Sequence, residues 1–79
     1  MSMTLSEFYG KRIISNEGRI LGEVKGILLN FEVGGVSHLL LIDAERFMRS
    51  TNPKDELRKS SIAYKRVKKV DETIIVGRE

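Results

Sequence analysis

Gly10-Lys11-Arg12-Ile13-Ile14-Ser15-Asn16-Glu17-Gly18-Arg19-Ile20-Leu21-Gly22-Glu23-Val24 lays out a strand, a glycine turn and a second strand. Arg12 to Ser15 is rich in β-branched residues and reads as a strand. Asn16-Glu17-Gly18 is a turn signal, with Gly18 free to take the positive φ that tight hairpins need. Ile20 to Phe31 follows, too long and too interrupted for one flat strand. Its first part carries polar residues on one face, and Ile27, Leu29 and Phe31 then make that face apolar too. Gly22 and Gly26 let such a strand coil sharply, as small barrels require.

Working outward, Glu32-Val33-Gly34-Gly35 reads as a second hairpin turn and Val36 to Ile42 as the third strand. Alternation places Val36, His38, Leu40 and Ile42 on one face, and Leu39 and Leu41 on the other. Both faces are apolar, where an outer antiparallel strand should alternate with polar residues. A terminal arm, the middle segment or another subunit must cover the second face. Leu39 and Leu41 are assigned to self-association on this ground.

Residues 1–9 read as an N-terminal arm or short helical turn, with Thr4 or Ser6 as a cap. Residues 43–60 read as a variable loop or short helix. Asn52-Pro53 fits an N-cap followed by Pro at the first helical position, with Asp55 and Glu56 in the first turn and Arg58 and Lys59 later. Ser61 to Tyr64 resumes β character. Tyr64, Val67 and Val70 recur at every third residue, which predicts one tight helical turn seating apolar anchors. Asp71-Glu72 makes a turn, and Thr73 to Val76 is the last strand. The expected fold is all-β: a small antiparallel β-barrel of five to six strands in a single domain over residues 1–79, with a short helical turn before the last strand.

With 79 residues and no cysteine, the chain has neither disulfides nor thiolate metal sites to reinforce a small core. A single histidine argues against a structural zinc site. Oligomerisation is the remaining reinforcement, so a homodimer is expected. Leu39-Leu40-Leu41-Ile42 is the longest apolar run, far short of the ~20 residues of a membrane span. The first ten residues lack a basic, then apolar, leader pattern, and a cytoplasmic location is expected. The net charge of +3 is unevenly placed. Residues 1–43 hold four Lys/Arg and five Asp/Glu, whereas residues 44–79 hold ten and six.

The two ends carry a family resemblance. Gly-Lys-x-Ile-x-Ser-x-x-Gly-x-x-Leu-Gly-x-Val, borne by Gly10 to Val24, resembles the opening of the PRC-barrel family. Ile62-Ala63-Tyr64-x-x-Val67-x-x-Val70, followed by Ile74-Ile75-Val76, resembles its close. Two departures stand at turns: Ala63 where members often have Pro, and Asp71-Glu72 where they often have Gly-Asp. The resemblance implies a compact barrel used as an interaction module, with no shared catalytic residues to carry over. Relatives include the cytoplasmic domain of the photosynthetic reaction-centre H subunit and the C-terminal domain of a bacterial ribosome-maturation factor. Short stand-alone members are typical of archaea, and some are linked to cell-division assemblies.

No enzyme signature emerges from the residues, and the expectation is a chain without catalytic residues, metal or cofactor. His38 sits on an apolar strand face, where a hydrogen-bonded structural histidine is the commoner finding. Asp43 and Glu45 follow a strand and read as solvated carboxylates. Gly22-x-x-x-Gly26 lacks the Lys-Ser/Thr ending of a phosphate loop. Lys65, Arg66, Lys68 and Lys69 are the main partner-binding candidates, because inward Tyr64, Val67 and Val70 would turn all four to solvent. Phe47 and Met48 join them as apolar residues in the middle segment. The expected role is an adaptor that docks a protein partner in a larger cytoplasmic assembly. The alternative is an RNA- or ribosome-associated module using the basic C-terminal half.

Overall fold

The opening hairpin forms where the turn signal places it. In the computed structural model, which describes residues 5–32 and 34–78, β1 (Arg12–Ser15) and β2 (Ile20–Glu23) pair antiparallel. Gly18 takes φ +86° in the turn between them. The Ser15 hydroxyl accepts from the Arg19 N–H at 3.0 Å and so ties the turn shut.

The long second strand is broken in two at Val24–Lys25. Val24 still serves the first hairpin: its N–H donates to the Lys11 carbonyl at 2.9 Å and its carbonyl accepts from the Gly10 N–H at 2.8 Å. The next residue, Lys25, donates to the Leu40 carbonyl at 2.8 Å. Adjacent peptides therefore bond to different sheets, and the chain turns a corner there. Beyond it run β3 (Gly26–Asn30) and β4 (Gly35–Leu40), then α1 (Ala44–Met48) and α2 (Pro53–Ser60). Then come β5 (Ser61–Ala63), a 3₁₀ turn (Tyr64–Arg66), β6 (Val67–Val70) and β7 (Thr73–Val76). The Thr4 cap and Val33 of the second hairpin turn lie outside the described residues.

The strands form two sheets, ordered β2-β1-β7-β6 and β3-β4-β5. The expectation of five to six antiparallel strands closing into a barrel is corrected in three respects. Among the described residues seven strands are present, β1 and β7 run parallel, and the ladders do not close into one ring. The chain itself links the sheets, at the Val24–Lys25 corner and again through the 3₁₀ turn between β5 and β6. That helical turn is confined to Tyr64–Arg66 and precedes the last two strands.

The spacing of three between Val67 and Val70 has a strand explanation. Val67 pairs with Val76 and Lys69 with Ile75, so β6 carries one extra residue at Lys68. A bulge resets the two-residue period, turning Lys68 and Lys69 outward together while Val67 and Val70 both pack on the core. The same device acts in β4. Leu28 pairs with His38 but Leu29 with Val36, leaving Ser37 extra. Val36 thereby joins Leu39 and Leu41 on the inner face, where strict alternation would have set it with His38.

The core lies between the sheets, with Ile13, Val24, Leu39, Ile74 and Val76 almost wholly excluded from solvent. Phe8 of the N-terminal arm is also buried, edge-on to Tyr64 with ring centroids 6.0 Å apart. This removes the motive for assigning Leu39 to self-association: its side chain is 0% exposed within one chain, and Leu41 packs against the same cluster. The middle segment covers the other face of β4. Leu40 is fully buried there, close to Gly26 and the Ala44 end of α1. Among the described residues, no helix is long and apolar enough to cross a membrane.

Gly26 is where this covering is tightest. A Cβ at Gly26 would stand 2.9 Å from Leu40 Cδ1, 3.3 Å from Leu40 Cβ and 3.4 Å from the Ala44 nitrogen. Gly26→Ala is expected to destabilise by about 1–3 kcal/mol in urea denaturation, because packed core atoms must move. Gly77→Ala meets only the flexible end of Lys68 and should change stability by less than about 0.5 kcal/mol. Equal losses in the two variants would contradict this packing argument.

Candidate functional site

Above the outward face of the second sheet lies α2, started as the sequence predicts. The Asn52 side chain accepts from the Asp55 N–H at 3.2 Å, and Pro53 occupies the first turn. The Ser61 hydroxyl donates to the Leu57 carbonyl and binds the helix end to β5. Since Leu39 faces the core, alternation sends His38 and Leu40 outward toward the helix. Ala63 lies opposite His38 and Ser61 opposite Leu40 in the β4–β5 ladder.

A hollow of about 220 Å³ opens between these elements. Lys54, Leu57 and Arg58 line it from α2, and His38 from β4. Ser61, Ala63 and Arg66 complete it. No carboxylate belongs to this lining, whereas three permanent cations and an imidazole do.

Each nitrogen group is held differently. Arg66 is half-buried: its Nε donates to the Gly77 carbonyl at 2.8 Å, and its own carbonyl accepts from the Gly77 N–H at 2.8 Å. The guanidinium is thus fixed by one nitrogen, and its terminal amino groups have no partner among the described residues. Ser37 Oγ lies 2.6 Å from His38 Nδ1. With that hydroxyl donating, the ring proton sits on Nε2, which then acts as a donor. Arg58 reaches Asp55 at 3.4 Å, and Lys59 reaches the same carboxylate at 3.0 Å. The hydrogen bond that Lys59 donates to Asp55, together with that carboxylate's charge, holds the Lys59 ammonium's pKa above its usual range. The Arg58–Asp55 pair is exposed and weak. Lys54 has no ion pair among the described residues.

The sequence-derived candidates divide on this frame. Lys65, Lys68 and Lys69 are exposed as expected. Arg66 is the exception: it turns back onto Gly77 and contributes to the hollow, so the four cations do not form one solvent-facing cluster. Met48 is 82% exposed, while Phe47 is half-buried on α1. His38 reads in the sequence as a structural histidine. It is hydrogen-bonded as that reading requires, yet it also lines the hollow. In the sequence Arg58, with Lys59, lies near the basic C-terminal run and joins it as a contact for RNA phosphates or an acidic protein. Lys54 carries no signal beyond its i,i+4 spacing from Arg58 on a helix whose packing direction the sequence does not give. Among the described residues, no group of three or more His, Asp or Glu side chains is placed to hold a metal ion.

With fold and site in view, comparison with known families is direct. The PRC-barrel domain profile matches residues 1–77. The chain belongs to the PRC-barrel domain family. No curated protein matches it closely enough to extend that assignment to a named relative. Membership explains the recurring glycines and apolar anchors at both ends of this PRC-barrel chain. The family motif does not include Lys54 or Arg58, so the hollow is argued from the geometry alone.

The anchoring of Arg66 can be checked without any ligand. Arg66→Ala should lower stability by about 1–2 kcal/mol through loss of its bond to Gly77. Lys65→Ala, exposed beside it, should stay within about 0.5 kcal/mol. Chemical denaturation of the two variants tests the division of the basic cluster.

Proposed function

We propose that this PRC-barrel chain is a non-catalytic protein-interaction module, acting as an adaptor that docks onto a larger cytoplasmic assembly. The observation that carries the reading is the placement of its exposed side chains on a rigid two-sheet frame. Met48 stands out on α1, and Lys65, Lys68 and Lys69 line the 3₁₀ turn and the edge strand β6. An exposed apolar side chain and exposed cations suit a partner that offers both apolar and acidic surface. Lysines on β6 also discourage indiscriminate strand pairing at that edge. The resemblance to short archaeal members makes a cell-division assembly the first partner to seek.

A homodimer is part of the proposal. With Leu39 and Leu41 turned to the core, the self-contact falls to exposed apolar residues such as Ile20, Leu29 and Phe31, the last 91% exposed. Light scattering at micromolar concentration should give twice the chain mass, and Phe31→Glu should shift it toward one. A monomer at all concentrations would remove the dimer.

The exposed lysines also motivate the RNA reading. It predicts salt-sensitive RNA binding whose log–log salt slope falls by about 0.7 for each phosphate contact removed. Crosslinking and affinity capture from native cells separate the two readings. Recovery of division proteins, weakened by Met48→Glu or by Lys65→Glu with Lys68→Glu, supports the adaptor. Recovery of ribosomal particles with RNA binding at low salt supports the alternative.

A further inference from the structure

We propose that the hollow under α2 is an anion seat, and that its occupant is the carboxylate of an acidic polypeptide segment on a protein partner. The inference rests on the interaction-module reading and names the chemistry of one contact within it. Cationic side chains from α2 and the 3₁₀ turn, joined by the His38 imidazole from β4, converge on about 220 Å³ of space that no Asp or Glu lines. Among the described residues Lys54 and Arg66 have no carboxylate partner, and Arg58 has only its exposed contact with Asp55. An entering anion therefore relieves the repulsion among the three cations.

The groups are also partly arranged in advance. Arg66 has its Nε committed to Gly77, so its remaining amino groups keep a set direction and lose little freedom on binding. His38 is oriented through Nδ1 by Ser37. Ser61 already donates its hydroxyl proton to Leu57 and is not needed as a donor. Arg58 can exchange its exposed contact with Asp55 for a ligand oxygen at small cost. Arginine forks match the planar carboxylate in bidentate geometry.

The lining selects a side-chain carboxylate over a nucleic acid. It contains no aromatic ring on which a base would stack. Leu57 and Ala63 supply apolar surface suited to the methylenes of Glu or Asp. At ~30 Å³ per water, the volume corresponds to about seven waters, so an acidic side chain fits with solvent left beside it.

The test uses the full chain, ¹⁵N-labelled, titrated at low salt with acetyl-tetraglutamate amide. Amide shifts should move at His38, Lys54 to Arg58, Arg66 and Gly77. Lys54→Gln with Arg58→Gln should weaken the peptide at least tenfold. The charge-matched pair Lys68→Gln with Lys69→Gln, outside the hollow, should change it less than twofold. Equal weakening by both pairs, or shifts confined to Lys65, Lys68 and Lys69, would overturn the seat. So would an oligouridylate that takes the same sites more tightly than the peptide. Should the double variant unfold, the wild-type shift map and Lys54→Gln alone decide. Capture from cells separates this inference from its foundation. A partner that the Lys54/Arg58 variant retains in full overturns the seat alone. Failure of the wild-type chain to recover any partner overturns the interaction-module reading, whatever the peptide does.

Discussion

The peptide between Val24 and Lys25 is bonded into both sheets and holds one against the other. Val24 bonds to Gly10 and Lys11 in the first sheet, while Lys25 bonds to Leu40 in the second. Neither sheet alone could bury its apolar face in so short a chain. The corner folds one onto the other, so that Ile13 and Ile74 from the first sheet meet Leu39 from the second. Burial of each such side chain contributes about 1.5–3 kcal/mol, and the domain has few of them. The bend also sets Gly26 immediately beyond the corner, where the absence of a Cβ lets Leu40 and the start of α1 close down.

Both hairpin signals, the Asn52-Pro53 helix start and the last strand were legible because each is written in adjacent residues. Gly18 needs only its own positive φ, and Asn52 needs only the N–H of Asp55. The bulges were not legible. At Ser37 and at Lys68 one extra residue shifts the strand phase, and no local preference marks either position. A two-residue period then set Val36 on the wrong face. The every-third recurrence of Tyr64, Val67 and Val70 looked helical when most of it is a bulged strand. Alternation fails in β4 because α1 and α2 lie over its outer face, a packing fact that strand composition could only hint at.

The hollow was illegible for a further reason. His38 and Ala63 become neighbours only through the β4–β5 ladder, and Lys54 and Arg58 reach them only after α2 has docked. Read along the chain, Arg66 belongs with Lys65, Lys68 and Lys69 in one basic run. In three dimensions the carbonyl of Gly77, just past β7, draws it away from them. Sequence proximity therefore overstated one cluster and hid another.

These facts are linked through the middle segment. The outer face of β4 is too apolar to stand in water, so the chain must spend residues 43–60 covering it. A helix as short as α2 cannot seal a sheet edge to edge, and its flank leaves a gap toward β5 and the 3₁₀ turn. Polar helix residues near that gap must be long enough to reach water, which favours Lys and Arg at Lys54 and Arg58. A cationic recess beside the cover is thus a consequence of stabilising the core with a short polar helix. The anchored guanidinium of Arg66 then gives the recess a donor of set direction, which a merely solvated surface would lack.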